Sequence, residues 1–287
     1  MGHCVVADAE AILDKEFPVL DKGFVRLVDY LGGDDRVVQS ARVSYGSGTK
    51  TYREDAGLID YLMRNSHTSP FEQVILTFHV KLPVFVARQW IRHRTARLNE
   101  ISGRYSVMKD DFYVPAPGDV AEQSADNKQG RSSGALDPQA AEKIRAALAE
   151  GQKRAYDDYS SLVEEGIARE LARINLPLSL YTEWYWQIDL HNLFHFLELR
   201  LDDHAQKEIR LYAQVLFEIA KKVAPRCCIS FEQHVLGGVR FSLDEMAELR
   251  KRFYITGEAD DSAGVSGELS GKALERFEEK LKSGRQL

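Results

Sequence analysis

Between Val74 and Leu82 the chain reads VILTFHVKL, with Leu76, Phe78, Val80 and Leu82 alternating against Thr77, His79 and Lys81. That period of two predicts a half-buried strand, because successive strand side chains point to opposite faces. Pro83 closes the pattern: proline removes a ladder donor and suits the first turn of a helix. The following PVFVARQWIRH has apolar Val84, Phe85 and Ile91, with Arg88 and Arg92 four apart. A helix is expected there, carrying Gln89, Arg92 and His93 on neighbouring turns. LNEISGRYS then leaves that helix through a loop containing Gly103.

Helical periodicity returns in PQAAEKIRAALAEGQKRAYDDYSSLVEEGI, in IDLHNLFHFLELR and in HAQKEIRLYAQVLFEIAKKVAP, so the second half reads as mostly helix. Residues 118–138 are polar and Gly/Ser-rich without periodicity, as in a mobile surface loop that is either a lid or a tolerated insertion. Ser242 and Glu245 have capping-box spacing and start another helix. A Gly/Ser/Asp linker near 257–271 and a short charged helix follow.

The 287 residues are 44% hydrophobic and 29% charged, enough for an ordinary globular core. LPVFVA, the longest apolar run near the arginines, is far too short to span a bilayer. MGHCVVADAE lacks the basic start and apolar run of a signal peptide, and Val6 stands where a myristoylation motif needs Ser or Thr. A cytoplasmic protein without membrane partners is expected. Cys4, Cys227 and Cys228 form no CxxC pair, which fits a reducing compartment and argues against zinc or a cysteine nucleophile. A net charge of −6 argues against a general nucleic-acid binder.

Against that acidic background, residues 88–104 hold Arg88, Arg92, Arg94, Arg97, Arg104 and His93 with one acid, Glu100. Solvated helix faces mix Lys with Glu, whereas the planar guanidinium captures phosphate through paired hydrogen bonds. Ser102 and Gly103 add a small hydroxyl and a permissive backbone, so the segment reads as an anion site. Further on, Leu190, Leu193, Phe194 and Leu197 share one helical face while His191 and His195 stand four apart on an adjoining one. Asn192 occupies the position where a zincin needs Glu, so no metal is expected. A hydrogen-bonded core role for these histidines remains open beside a functional one.

RHRTARLNEISGRYS resembles the signature of the flavin-dependent thymidylate synthases. The resemblance continues through HTSPFEQVILTFHVKLPVFVARQWIRHR, ARINLPLSLYTEWYW and FHFLELRLDDHAQKEIR, covering roughly residues 20 to 235. Arg97 stands where the family often has a small residue, and the 118–138 insertion and the tail beyond about 240 lie outside the pattern. With the element pattern above, the resemblance implies an α+β fold: a central antiparallel sheet flanked by helices, a helix-rich second half, and a single domain with a C-terminal helical tail. It implies a catalytic domain over 1–240 and a partly flexible extension over 241–287.

The family makes dTMP from dUMP, with methylenetetrahydrofolate as carbon donor and NADPH as reductant through bound FAD. Carried over by position, Gln89, Trp90, Ile91, Arg92, Glu100, Ile101, Ser102, Gly103, Arg104, Arg173 and Arg200 are expected to hold dUMP. Ser69, Arg92, His93, Arg94, Glu100, Asp189, Leu190, His191 and His195 are expected to line the FAD site. A homotetramer with shared sites is implied, the Ser102–Arg104 loop meeting Arg173 of a partner chain.

Methylation at C5 of a uracil needs electron density there, which a hydrogen-bonding cation at the N3/O4 edge supports; Arg200 is expected to be that catalytic group. No base is placed to activate Ser102, which reads as a phosphate-side donor. Two rival readings stay open: a metal-dependent nucleotide hydrolase using His191 and His195, and a non-catalytic nucleotide- or RNA-binding module using the arginines.

Overall fold

A computed structural model describes residues 5–43, 52–125 and 130–255, with the isolated positions 271, 275 and 277. A short helix α1 (Ala7–Glu10) leads into strands β1 (Glu16–Val19) and β2 (Gly23–Leu31) and helices α2 (Asp34–Val43) and α3 (Tyr52–Arg64). Strand β3 (Ile75–Pro83), helix α4 (Val84–Trp90) and strand β4 (Arg97–Glu100) follow. A hairpin β5 (Ala121–Gln123) and β6 (Arg131–Ala135) precedes the long α5 (Pro138–Glu164) and the short α6 (Arg169–Ala172). Strand β7 (Tyr181–Asp189) then runs directly into α7 (Leu190–Arg200), α8 (Lys207–Val223), α9 (Pro225–Phe231) and α10 (Leu243–Ile255).

The main sheet has the order β1-β2-β3-β7-β4 with every neighbour antiparallel, which gives the expected α+β architecture. The VILTFHVKL alternation reads out directly: Leu76, Phe78, Val80 and Leu82 are fully buried, while Thr77, His79 and Lys81 lie on the opposite face. On that face the Tyr185 ring stacks on His79 at 4.9 Å, and Arg26 Nη2 lies 2.8 Å from His79 Nδ1.

On the buried face Trp90 is the meeting point. Its ring packs against Trp184 and Trp186 of β7, Phe196 of α7 and Tyr212 of α8, at centroid distances of 5.6, 5.0, 4.9 and 5.9 Å. These rings are 1% exposed or less, so α4 is clamped at its C-terminal end by three other elements.

Four elements differ from the sequence reading. The second half contains β7, whose Trp184, Trp186 and Ile188 point into the core while Glu183, Tyr185 and Gln187 point out. The segment at Arg97–Glu100 is an edge strand on β7 rather than loop. Helix α4 stops at Trp90, because the backbone tightens into bonds from Arg92 N to Gln89 O and from His93 N to Trp90 O; Arg92 and His93 therefore leave the helix in a turn. Within 118–138 the chain forms the β5/β6 hairpin, tied down by Arg131, which donates to Asp119 O and pairs with the buried Glu208 carboxylate. Those tertiary bonds order short polar strands that carry no alternation of their own. The capping box is present, Ser242 N donating to Glu245 and Glu245 N to Ser242 Oγ, whereas the linker and charged helix after α10 fall mostly outside the described residues.

Trp90→Ala should lower stability by about 3–5 kcal/mol in chemical denaturation, the range for emptying a buried large aromatic position. A loss under about 1 kcal/mol would place Trp90 outside the core.

Candidate active site

The turn after α4 delivers Arg92, His93, Arg94 and Thr95 to a cavity of about 320 Å³, whose other wall is Ile188 of β7 and Asn192, His195, Leu199 and Arg200 of α7. A second cavity of about 620 Å³ adjoins it, sharing Asn192, His195 and Leu199. It adds His67, Thr68, His191 and an apolar wall that includes Phe71, Phe194 and Phe231. Helix α7 thus works as the expected pattern requires: Leu190, Leu193, Phe194 and Leu197 are buried, and His191 and His195 face the cavities.

Charge in the smaller cavity is uncompensated. Among the described residues, Arg92, Arg94 and Arg200 have no carboxylate partner. Burial alone pulls the Arg200 guanidinium below its ordinary range. Its Nε donates to His93 Nε2 at 3.1 Å. Burial, then the Arg200 charge and the His195 ring, push the His93 imidazolium down to about 4, so the ring is neutral at physiological pH. Gln89 is half-buried at the end of α4, and its side-chain amide donates to Gln206 at the start of α8.

A second group of expected residues gathers at the far end of β4. Ser102 Oγ accepts from Arg104 N, and Arg104 Nε lies 3.2 Å from Glu170 of α6. A Cβ on Gly103 would stand 3.2 Å from Arg173 Cδ and 2.8 Å from Met108 Sδ, so only glycine lets this loop and Arg173 approach so closely. The loop therefore meets Arg173 of its own chain. The expectation placed a partner's Arg173 there; in this chain its own Arg173, the residue that follows α6, already lies against the loop. Ser102, Gly103, Arg104 and Arg173 do not line the cavity of Arg92 and Arg200.

Other expected residues stand apart from the cavities or have side chains engaged within the fold. Trp90 and Leu190 are 0% exposed, so any ligand contact from them would be through backbone. Asp189 caps α7, accepting from Asn192 N at 2.9 Å and Asn192 Nδ2 at 2.8 Å. The Glu100 carboxylate accepts from Thr182 Oγ1 at 2.6 Å. Ile91 is half-buried, and Ile101 and Ser69 are exposed. Arg97 lies along the sheet edge, its Nη1 donating to Gln187. His67, Thr95 and Asn192 line the cavities without having been singled out; His67 stands only two residues before Ser69, inside the quoted HTSPF.

Cys227 and Cys228 are buried on α9, with burial and then Asp34 raising both thiols well above their ordinary range. Neither lines either cavity. Among the described residues no three His, Cys, Asp or Glu side chains group closely enough to hold a metal ion. No helix among the described residues is long and apolar enough to cross a membrane.

Residues 26–226 match the family model of the thymidylate synthase complementing protein. The chain belongs to this family, the flavin-dependent thymidylate synthases. A second model, the thymidylate synthase ThyX C-terminal domain, matches residues 239–287, the tail that the sequence reading left outside the resemblance. The flavin-dependent thymidylate synthase of Treponema denticola is 65% identical, over 96% of this chain and 100% of its own length. That of Treponema pallidum is 60% identical over 100% of this chain and 91% of its own. Among solved structures, the UMP/dUMP methylase PolB from Streptomyces cacaoi bound with 5-Br dUMP superposes with a TM-score of 0.70 and 32% identity, over 76% of this chain and 98% of its own.

The neutral His93 of this flavin-dependent thymidylate synthase family member makes a prediction about acid stability. Between its folded value of about 4 and the ordinary 6.5, the unfolded chain binds a proton that the folded ring refuses. The His93 contribution is therefore complete above the unfolded value and fades as pH falls towards the folded one. The melting temperature of His93→Phe should fall less steeply than that of the wild type as pH is lowered across that window. Equal slopes would contradict a neutral, half-buried ring beside Arg200 and His195.

Proposed function

We propose that the protein converts dUMP to dTMP, with methylenetetrahydrofolate as carbon donor and NADPH as reductant through bound FAD. The observation that carries this reading is the set Arg92, Arg94 and Arg200, without a carboxylate partner among the described residues, lining the smaller of two contiguous cavities in a chain whose net charge is −6. The relatives' names and the dUMP analogue bound to the S. cacaoi methylase support the same substrate and cofactor.

The residues fit FAD. Arg92 and Arg94 suit its pyrophosphate, and the larger cavity, with His67, His191 and His195 against an apolar wall, suits a planar ring system. Once bound, FAD supplies hydride transfer, which no side chain of the protein can perform. The protein binds and orients. Arg200, with its terminal amino groups unpaired, is assigned to the N3/O4 edge of the uracil, where it stabilises negative charge developing towards C5. Ser102, Arg104 and Arg173 are assigned to the phosphate. The Arg104–Glu170 pair is more than half exposed on both sides, so it is weak and easily exchanged for a doubly charged phosphate. Ser102 Oγ accepts from a backbone N–H, and the described cysteines lie away from the cavities, so the reaction is assigned no enzyme nucleophile.

The two groups of phosphate- and base-binding residues lie at opposite ends of β4, whose four residues span roughly 10–13 Å. This supports a homotetramer in which one chain's Gln89, Arg92 and Arg200 face another chain's Ser102–Arg104 loop and Arg173. Residues 1–240 then form the catalytic domain and 241–287 an extension, in a cytoplasmic enzyme.

Purified protein given dUMP, methylenetetrahydrofolate and NADPH should release dTMP and carry a flavin spectrum indifferent to chelator; a chelator-sensitive nucleotide hydrolysis would overturn the reading. Arg104→Ala should weaken dUMP binding by about 2 kcal/mol or more while flavin content stays, since one charge-assisted phosphate contact is lost. Unchanged dUMP affinity would remove Arg104 from the phosphate site.

Site sharing has its own arithmetic. Arg173→Ala and Arg200→Ala should each be nearly inactive, yet randomly reassembled equal mixtures should recover activity at about a quarter of sites, because each site draws its halves from two chains independently. Arg104→Ala with Arg173→Ala should recover nothing, since those residues share one half. Inactive Arg173/Arg200 mixtures, with exchange verified by mass, would mean that each chain builds its own site.

A further inference from the structure

We infer that His93 is a positioning residue for Arg200: its ring nitrogen Nε2 accepts the Arg200 Nε–H and thereby aims the two terminal amino groups of the guanidinium into the cavity. The inference rests on the proposed reaction for its consequence in substrate binding, though its geometry stands on its own.

The geometry has three parts. First, an arginine side chain has one Nε–H on its flank and four N–H groups at its tip, so holding the flank leaves the tip free for a planar ligand edge. Arg200 is held in that way, at 3.1 Å from His93 Nε2, and has no carboxylate partner among the described residues. A carboxylate in that place would pull in the guanidinium by charge and compete with the ligand; a neutral imidazole offers one lone pair and no charge.

Second, the acceptor role needs Nε2 unprotonated, which puts the proton of the neutral ring on Nδ1. The environment favours that form: a positive charge on His93 would lie beside the Arg200 guanidinium in a half-buried position. Third, the ring cannot swing away freely. It meets Phe196 edge-on at 4.8 Å and His195 at 5.8 Å. Phe196 is 0% exposed and itself wedged against Trp90 and Trp186, at 4.9 and 5.4 Å. A continuous line of packed rings therefore runs from the core to the flank of Arg200.

The test is a thermodynamic cycle on dUMP binding to the FAD-loaded protein, by calorimetry, with His93→Phe, His93→Gln, Arg200→Ala and the double variant His93→Phe/Arg200→Ala. Phenylalanine keeps the ring and its packing but offers no acceptor; glutamine places an amide oxygen near the Nε2 position. His93→Phe should weaken dUMP binding about ten-fold or more, the loss of one hydrogen bond to a charged group. His93→Gln should recover most of that loss. In the Arg200→Ala background His93→Phe should change dUMP affinity by less than about two-fold, since a residue acting only through Arg200 has nothing left to act on. A ten-fold loss that persists without Arg200, or equal defects in the Phe and Gln variants, would overturn the inference.

Flavin content and melting temperature accompany each variant, so that loss of cofactor or fold is not read as loss of aim. Crystal structures of His93→Phe and His93→Gln supply a readout free of substrate: the Arg200 guanidinium should be displaced or spread over several rotamers in the first and held as in the wild type in the second. An unmoved guanidinium in His93→Phe would also overturn the inference. Failure of the wild type to bind dUMP would instead overturn the proposed reaction, and the crystal structures would then decide the role of His93.

Discussion

The packing of Trp90 against Trp184, Trp186, Phe196 and Tyr212 is the contact on which the site depends. An arginine-rich turn repels itself and has little apolar surface of its own to hold it in place. Here it begins one residue after a side chain enclosed by rings from β7, α7 and α8. That clamp fixes the direction in which Ile91 to Thr95 leave α4, and the same rings brace Phe196, which braces His93. The core thus reaches the functional side chains through two or three contacts of high density, where displacements are costly.

The second constraint is electrostatic. Several guanidinium groups face one region with no carboxylate partner among the described residues, a repulsion that an anionic ligand would relieve. Depressing His93 to its neutral form limits the repulsion, and placing Arg200 in the last turn of α7 lets the helix C-terminus offset part of its charge. Structural arginines elsewhere are treated differently: Arg42 pairs with Asp55 and Arg131 with Glu208. Among the described residues, Arg92, Arg94 and Arg200 differ from these in having no carboxylate partner at the cavity that they line.

Much of this was legible in the sequence, for reasons that can be named. Strand β3 announced itself because one face is core and the other is polar, and α5, α7, α8 and the Ser242–Glu245 cap carry strong local signals. Strand β7 carries the same alternation in YTEWYWQID, but it runs straight into helix α7, and two of its three outward residues, Glu183 and Gln187, are good helix formers. Strand β4 and the β5/β6 hairpin were not legible, since edge pairing and the Arg131–Glu208 bond order them from a distance. Similarly, the anion-binding character of the arginines followed from residue type, whereas the burial of Trp90 and Leu190, the capping role of Asp189 and the grouping of Arg173 with Gly103 depend on tertiary placement.

In the proposed arrangement the two arginine groups divide one nucleotide between them, the base edge to Arg200 and the phosphate to the Ser102–Arg104 loop and Arg173. A crystal structure of the FAD-loaded protein with dUMP would show this division. The uracil N3/O4 edge should lie within hydrogen-bonding distance of the Arg200 terminal nitrogens, and the phosphate against Ser102, Arg104 and Arg173 of a second chain. A nucleotide lying wholly within one chain's cavity, or one whose phosphate rests on Arg200, would contradict it.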